Sequence, residues 1–332
     1  MFVIAEAGVN HNNNLSIANK MVDVAVKAHA SAIKFQTFLA DEIQLKESRR
    51  PRYQNKLKKS YYEIIKNLES SFEDQSKIFE YCKKRKILFL STPYDIKSVD
   101  FLDELGVKAF KVSSSDLANH LLLKHIISKK KPVILSTGLA DYELVKQSVS
   151  LFERCGMRDK LILMQATSDY PVPEHDVNLR VIPEYAQRFR VWTGYSDHTE
   201  SGLATYGAVA LGAKVVEKHF TLNRKMHGPD HSSSLEPLEL QQWIANIRLM
   251  ERSLGNKQKT ITRSERANLS MRKVIIIKPV RKGEIINSKC LTSMRGNING
   301  ILPTENNIKK IIGKQTLVTI NEPRQFSWKM VK

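Results

Sequence analysis

The sequence predicts an α/β fold, a closed (β/α)8 TIM barrel followed by a small β-rich domain. Three observations predict it: eight short apolar runs recur over roughly 250 residues, helix-like segments separate them, and a turn-rich β segment follows. The runs are residues 2–7, 32–38, 87–92, 109–113, 132–137, 161–167, 191–195 and 214–220. No glycine-rich dinucleotide motif or P-loop motif follows any run, so the pattern favours a barrel over an open nucleotide-binding sheet.

Each run precedes a segment with helical periodicity or with room for one helix. These segments are residues 15–29, 73–85, 96–105, 120–128, 142–153, 177–188, 201–211 and 243–254. Because the last one closes the barrel, we expect the barrel domain to span residues 1–254. A basic stretch, residues 41–68, interrupts the even spacing, and we interpret it as a solvated loop at the active site, with RNA contact as the alternative.

The end of the chain is polar and basic. Residues 255–270 predict a linker, and residues 271–332 predict a small domain with β runs at 274–277 and 317–320. From Ser253 onwards there are 17 Lys and Arg against 4 Asp and Glu, which is +13 of the chain's formal charge of +19. A domain that binds polyanions and a lid that brings positive charge over an anionic ligand both explain this excess.

Composition narrows the class of partner and compartment. The charge of +19 favours an anionic partner: nucleic acid, an anionic membrane surface, or a phosphorylated or carboxylated small molecule. Cys82, Cys155 and Cys290 are far apart and lack CxxC spacing, which is typical of a reduced, intracellular protein. No apolar run approaches membrane-spanning length, and the first residues lack a basic leader. We therefore expect a cytoplasmic protein with no membrane partner.

Polar side chains follow every predicted strand. In a barrel such positions are catalytic candidates, because the inner positions below them are filled by packed apolar side chains. The candidates are Glu6, Lys34, Gln36, Ser91, Thr92, Lys111, Ser113, Ser114, Ser115, Asp116, Ser136, Thr137, Thr167, Tyr170, Ser196, Asp197, His198 and His219. Any one of them has a purely structural explanation, such as a turn or an ion pair. Together, the lysines and hydroxyls predict a site for phosphate and carboxylate.

Two histidines end the last two apolar runs. His198 and His219 leave matched strand ends with one helix between them, so both rings are expected to face one cavity. Neutral imidazole is a good ligand for a divalent transition metal, and Asp197, Glu217, Asp230 and His231 add further ligands or supporting partners. The alternative is that one histidine is a core residue. The matched positions favour a metal site.

Seven colinear motifs carry a resemblance to a known family. They are IAEAGVNHN at 4–12, KFQT at 34–37, STPYD at 91–95, STG at 136–138, YSDHT at 195–199, EKHFTL at 217–222 and GPDHSSSLEP at 228–237. They resemble the sialic acid synthase family, which comprises N-acetylneuraminate synthases and the related legionaminate and pseudaminate synthases. The resemblance implies a TIM barrel with a C-terminal antifreeze-like (SAF) domain, similar here in MRGNINGI at 294–301. It further implies a domain-swapped homodimer and makes nucleic acid an unexpected partner.

The resemblance also implies a reaction. Family members condense phosphoenolpyruvate with an N-acylated mannosamine-type sugar and release phosphate, with Mn²⁺ or Mg²⁺ polarising the sugar aldehyde. His198 and His219 match the metal ligands, and Glu6 and Asp116 match acidic positions for proton transfer and water activation. The positions matching phosphoenolpyruvate contacts are Lys34, Thr92, Lys111, Ser114, Ser136 and Ser196. Gln36, Tyr170, Asp230 and, from the small domain, Arg295 match contacts to the sugar.

This sequence departs from the family pattern in one motif that bears on substrate binding. The family usually has KxGSG, whereas here Ser113 and Ser115 replace the glycines on both sides of Ser114. Ala166 and Ser168 also stand where cysteine and asparagine are frequent. The two added hydroxymethyl groups raise three alternatives: a legionaminate or pseudaminate synthase, a barrel that binds an anionic sugar without catalysis, and a metal-dependent aldolase that uses pyruvate.

Overall fold

The computed structural model describes residues 1–47, 60–267 and 271–332. The chain divides into two compact units, Met1–Gly255 and Asn256–Lys332. Among the described residues of the first unit, one sheet contains the strands β1 Phe2–Gly8, β2 Ala32–Thr37, β3 Leu88–Pro93, β4 Phe110–Val112, β5 Val133–Ser136, β6 Leu161–Gln165, β7 Trp192–Asp197 and β8 Val215–His219. Each predicted apolar run therefore forms a strand, with ends that differ by a few residues.

The sheet curves into a nearly closed barrel. Its hydrogen-bonded order is β3-β2-β1-β8-β7-β6-β5-β4, and the pairs are parallel. The two strands at the ends of this order, β3 and β4, also contact each other. Glu6 on β1 is the register partner of Lys34 on β2 and of His219 on β8. The predicted (β/α)8 fold class is confirmed.

Helices cover the outside of the barrel. They are α1 Leu15–Lys27, α2 Ala40–Ile43, α3 Tyr61–Leu68, α4 Phe72–Lys84, α5 Ile96–Leu105, α6 His120–Ser128, α7 Tyr142–Arg154, α8 Val181–Phe189, α9 Leu203–Ala210 and α10 Pro237–Leu254. Short polar side chains accept the first free amides of several, as Asn14 does for α1 and Asp95 for α5. The main core lies between these helices and the strands.

The barrel interior has an apolar floor and a polar mouth. Ile4, Leu90, Ile134 and Val215 belong to the apolar cluster inside the barrel. Successive strand residues alternate between faces, so the residue two positions later points inward again, one step nearer the mouth. Those next inward residues are Glu6, Thr92, Ser136 and Glu217. The alternation thus places polar groups on top of a packed floor.

Three parts of the first unit differ from the sequence-based expectation. Helix α10 begins at Pro237 rather than at residue 243, because proline suits the first helical position and Glu236 and Glu239 form a capping box before it. The short helices α2 and α3 lie in the stretch 41–68 that we predicted to be a loop, and residues 48–59 of that stretch lie outside the described residues. Of the helices that the structure describes, none is long and apolar enough to cross a membrane.

The second unit is built around a small antiparallel sheet. Its described elements are α11 Arg263–Ala267, β9 Arg272–Ile276, β10 Leu291–Arg295, α12 Glu305–Ile311 and β11 Arg324–Gln325, with strand order β10-β9-β11. Helix α11 lies inside the stretch predicted to be a linker, whose residues 268–270 are outside the described part. The strand predicted at 317–320 is wrong: Ile320 forms only an isolated bridge with Val280. Leu317 and Val318 stay partly exposed, which leaves that apolar run without a continuous partner strand.

Candidate active site

Two buried lysines point into the barrel mouth from β2 and β4. Lys34 and Lys111 are 4% and 2% exposed, and each donates a hydrogen bond to a hydroxyl on a neighbouring strand. The Nζ atom of Lys34 lies 3.2 Å from Oγ1 of Thr92, and that of Lys111 lies 2.6 Å from Oγ of Ser136. Ammonium and hydroxyl groups in this arrangement match the oxygen atoms of a phosphate or carboxylate.

Glu217 joins the two lysines. Its Oε2 lies 3.7 Å from Nζ of Lys34, its Oε1 lies 3.7 Å from Nζ of Lys111, and its Oε1 accepts a hydrogen bond of 3.0 Å from Ser196. Burial alone would raise the pKa of Glu217, but the charges of Lys111 and Lys34 lower this pKa to about 2. Glu217 is therefore an anion at neutral pH and the counterion of both lysines.

Glu6 is a carboxyl group with the opposite behaviour. Its Oε1 lies 2.8 Å from Nζ of Lys34, and its Oε2 is buried with no hydrogen-bond partner among the described residues. Burial raises the pKa of Glu6 to about 8, despite the opposing charge of Lys34, and the nearby charge of Glu217 adds to the increase. Two neighbouring carboxyl groups with pKa values pushed apart are typical of acid–base sites. Glu6 is the proton-carrying member of this pair.

The two histidines face each other across the mouth. The ring centroids of His198 and His219 are 6.0 Å apart, and the ring of Tyr170 lies 4.3 Å from that of His198. Burial lowers the pKa of both histidines, and the neighbouring His198 and Lys34 lower that of His219 further. Both imidazoles are therefore neutral, the form that binds metals.

The hydrogen bonds of His198 define which nitrogen faces the cavity. Its Nδ1 lies 2.7 Å from the carbonyl oxygen of Thr167, to which it donates, so Nε2 carries the lone pair. Nε2 lies 3.2 Å from the Tyr170 hydroxyl and 3.3 Å from Oγ of Ser196. The Nδ1 atom of His219 is buried and has no partner among the described residues. A free imidazole nitrogen in a polar mouth is a suitable metal ligand.

A divalent cation fits this pair of rings, although the protein supplies few ligands. In the described residues, no group of three or more His, Cys, Asp or Glu side chains is arranged to hold a metal. Of the additional ligands considered from the sequence, Asp197 bonds to Thr199 and Thr205, and His231 bonds to Thr221. A metal at His198 and His219 would therefore depend on substrate or water oxygens for its remaining coordination positions.

The three consecutive serines after β4 serve two different purposes. Ser113 and Ser115 donate hydrogen bonds of 2.8 and 3.2 Å to Asp116, while Asn119 donates to the other carboxylate oxygen. Ser114 instead accepts a hydrogen bond of 2.9 Å from the backbone nitrogen of Gly138, next to Ser136. The two departures from the family pattern therefore hold Asp116 and do not point at the lysines.

The predicted sugar-side residues surround Tyr94, which the sequence analysis missed. Burial raises the pKa of Tyr94 well above its usual value, and the charges of Asp116, Glu6 and Asp230 add to the effect. Burial also raises the pKa of Asp230, to about 6. The signal for Tyr94 was present, because it follows β3 directly in the motif STPYD.

Gln36 and Arg295 complete the predicted set. A methyl group placed on Gly8 would lie 3.6 Å from Nε2 of Gln36, 3.5 Å from His219 and 3.3 Å from Glu6, so Gln36 lies beside the centre of the mouth. Gly8 also has a φ of +53°, which favours glycine there. Arg295 lies at the exposed end of β10 in the second unit. The barrel thus brings together the predicted residues of the first unit around one mouth.

Residues 21–259 match the NeuB family. The chain belongs to the NeuB family. This NeuB-family protein is 38% identical over 305 residues to N,N'-diacetyllegionaminic acid synthase of Campylobacter jejuni, with 90% of this chain and 91% of the relative covered. It is 37% identical over 331 residues to N-acetylneuraminate-9-phosphate synthase of Homo sapiens, with 97% and 90% covered.

A solved structure gives the same picture for this NeuB-family chain. The crystal structure of the N-acetylneuraminic acid synthetase from Leptospira borgpetersenii matches with a TM-score of 0.71 and 31% identity, over 81% of this chain and 90% of that one. The resemblance to sialic acid synthases is thereby confirmed. The named relatives are synthases of sugar acids, which supports an enzyme that makes a sugar acid.

Proposed function

We propose that this NeuB-family protein condenses phosphoenolpyruvate with an N-acylated mannosamine-type sugar, with water, to give a nine-carbon sialic acid and phosphate. The observation that carries the proposal is the arrangement of Lys34 and Lys111 beside two neutral histidines at one barrel mouth. Such a site binds a multiply charged anion next to a group that activates a carbonyl. The names of the relatives support the same reaction class.

Phosphoenolpyruvate would bind on the lysine side of the mouth. Lys34 and Lys111 pair with its phosphate and carboxylate, and the hydroxyls of Thr92, Ser136 and Ser196 donate to the remaining oxygens. The 3.7 Å separations between the lysines and Glu217 allow each ammonium to turn from Glu217 to the substrate. These charges also stabilise the phosphate as it leaves.

The sugar would bind on the histidine side as its open-chain aldehyde. His198 and His219 would hold Mn²⁺ or Mg²⁺, which when bound polarises the aldehyde oxygen as a Lewis acid. Tyr170, Gln36 and Asp230 orient the sugar, so that carbon 3 of phosphoenolpyruvate attacks the aldehyde carbon. Water then adds at carbon 2, and the bond between carbon 2 and the phosphate oxygen breaks.

Glu6 would supply the proton that this addition requires. With a pKa near 8 its carboxyl group is protonated at neutral pH, and it lies beside Lys34 and Gly8 at the centre of the mouth. The new hydroxyl group of the product takes one proton, and the attacking water must lose one. Glu6 and Asp116 are the residues to which we assign these transfers.

The second unit would complete the site as an antifreeze-like domain. We assign this role to residues 271–332, after a linker at 255–270, because MRGNINGI resembles the family motif. In this proposal the protein is a domain-swapped homodimer, and Arg295 of one protomer contacts the acyl group of the sugar in the other. The charge of +13 at this end of the chain supports a role near anionic ligands.

The direct test is phosphate release by the purified protein with phosphoenolpyruvate and Mn²⁺. Parallel reactions contain N-acetylmannosamine, its 2,4-diacetamido-trideoxy analogue, or no sugar. Release that requires one sugar supports the reaction and names the product. No release with either sugar, together with binding of phosphoenolpyruvate, would contradict the reaction and favour a non-catalytic barrel.

The second candidate is legionaminate synthesis from the 2,4-diacetamido-trideoxy sugar. The observation that favours it is the 38% identity to the Campylobacter jejuni legionaminic acid synthase. The two candidates share the lysine side of the mouth and differ in the substituents of the sugar. The sugar required for phosphate release therefore distinguishes them.

A further inference from the structure

The ends of β7 and β8 carry three successive cross-strand pairs. Ser196 is the register partner of Glu217, and Asp197 is the register partner of Lys218. His198 and His219 follow, one residue further along each strand. Because strand residues alternate between faces, the first and third pairs point into the barrel and the middle pair points outward. The two histidines thus follow directly on an outward-facing pair.

The middle pair is a buried ion pair. Nζ of Lys218 lies 3.4 Å from Oδ1 of Asp197, and both side chains are at most 1% exposed. Lys218 also donates a hydrogen bond to the backbone carbonyl of Thr199, on the far side of His198. A single side chain next to His219 therefore holds the backbone on both sides of His198.

Further hydrogen bonds fix the carboxylate of Asp197. Oδ1 accepts from the backbone nitrogen of Thr199 at 2.8 Å and from its hydroxyl at 2.7 Å. Oδ2 accepts from the hydroxyl of Thr205, on α9, at 2.5 Å. The pair is saturated and lies behind the barrel wall, so it touches no substrate.

We infer that Asp197 and Lys218 are positioning residues that set the separation and orientation of the His198 and His219 rings for a divalent cation. The inference rests on the proposed function, because it takes these histidines as the metal ligands. The physical reason is that an ion pair with this many bonds fixes the exit direction of β7 relative to β8. A shift of either strand end would change the 6.0 Å distance between the rings.

The test is the affinity of the full chain for Mn²⁺ alone, measured from the electron paramagnetic resonance signal of free Mn²⁺. Lys218→Met and Asp197→Asn should weaken Mn²⁺ binding by about 10- to 100-fold, as loss of a supporting residue does at metal sites. Lys129→Met removes an ion pair of 2.6 Å with Asp100, away from the barrel mouth, and serves as the matched control. This control should retain the wild-type affinity.

Separate outcomes identify which idea fails. If His198→Ala and His219→Ala leave Mn²⁺ binding unchanged, the proposed metal site is wrong. If those variants lose Mn²⁺ but folded Lys218→Met and Asp197→Asn do not, the positioning role is overturned. Circular dichroism and thermal unfolding report folding, and a purely structural role would lower the unfolding temperature without changing the Mn²⁺ affinity of the folded protein.

A milder variant covers the case in which loss of the ion pair prevents folding. Thr205→Val keeps Asp197 and Lys218 but removes one hydrogen bond to the carboxylate. We expect it to weaken Mn²⁺ binding by about threefold to tenfold, in line with one hydrogen bond. Wild-type affinity in folded Thr205→Val would then overturn the inference.

Discussion

Nζ of Lys34 lies 2.8 Å from Oε1 of Glu6, and the two side chains are 4% and 2% exposed. The same ammonium contacts Thr92 and approaches Glu217, so Lys34 connects three strands besides its own. Although burial opposes it, the charges of Glu217 and Glu6 raise the pKa of Lys34. Lys34 is thus a fixed cation at the centre of the mouth.

Lys34→Met should therefore impair phosphoenolpyruvate binding. The change keeps much of the side-chain volume and removes the charge, and the loss of a charged hydrogen bond corresponds to about 10- to 100-fold in KM for phosphoenolpyruvate. Steady-state kinetics at saturating sugar measure it. Lys129→Met is the control outside the mouth. An unchanged KM for phosphoenolpyruvate would contradict the assignment of Lys34.

Lys111 makes the binding of phosphoenolpyruvate depend on pH. Burial lowers the pKa of Lys111 to about 8, against the opposing effect of Glu217. A lysine is cationic below its pKa and neutral above it, so KM for phosphoenolpyruvate should rise as pH increases through 8. In Lys111→Arg the side chain stays charged, and this rise should disappear. A wild-type KM that is constant from neutral to alkaline pH would refute the role of this titration.

Restoring the family glycines should affect the sugar more than phosphoenolpyruvate. Ser113→Gly with Ser115→Gly removes two hydrogen bonds to Asp116 and leaves the bond between Ser114 and Gly138. We expect KM for the sugar to rise by about threefold to tenfold, as for loss of one or two hydrogen bonds, with little change for phosphoenolpyruvate. Kinetics with each substrate varied in turn decide this. The reverse pattern would place the serines in the phosphate site.

His219→Ala should abolish metal-dependent turnover while the fold stays intact. Its ring is neutral, buried and unpaired at Nδ1, so the variant loses a ligand without breaking a hydrogen bond that the structure shows. Phosphate release across a Mn²⁺ titration and circular dichroism measure the two effects. The exposed His175→Ala is the control. Normal Mn²⁺-dependent activity in His219→Ala would remove the metal assignment.

Arg295→Ala should raise KM for the sugar more than KM for phosphoenolpyruvate. The proposed contact of Arg295 is with the acyl group, which only the sugar carries. Arg324→Ala, an exposed arginine on β11 of the same unit, controls for the loss of one charge. Equal effects on both substrates would contradict the lid role of Arg295.

The sequence was sufficient for the barrel because its strands are buried apolar runs separated by helices. It also located the strand-end residues, since the carboxyl ends of parallel strands meet at one mouth. It did not identify Glu217 as the counterion of both lysines. The periodicity contained that signal, because Glu217 lies two residues before His219 and so faces the same side, whereas Val216 and Lys218 face outward.

The second unit was harder to predict for a physical reason. Its strands are only five, five and two residues long, so the alternation that identifies a strand has few residues in which to appear. The apolar run at 317–320 therefore had the composition of a strand without the partner that makes one. The distances at the barrel mouth were likewise inaccessible, because they depend on the register between strands far apart in the chain.

The pairing of Glu6 on the first strand with His219 on the last has a consequence for how the protein acquires activity. The two residues meet only when the barrel closes, and closing it brings together segments from opposite ends of the unit. Contacts of such long sequence separation form late and slowly in folding. A chain arrested before closure therefore holds its lysines and its histidines on separate pieces of sheet, and catalytic activity reports the completed barrel.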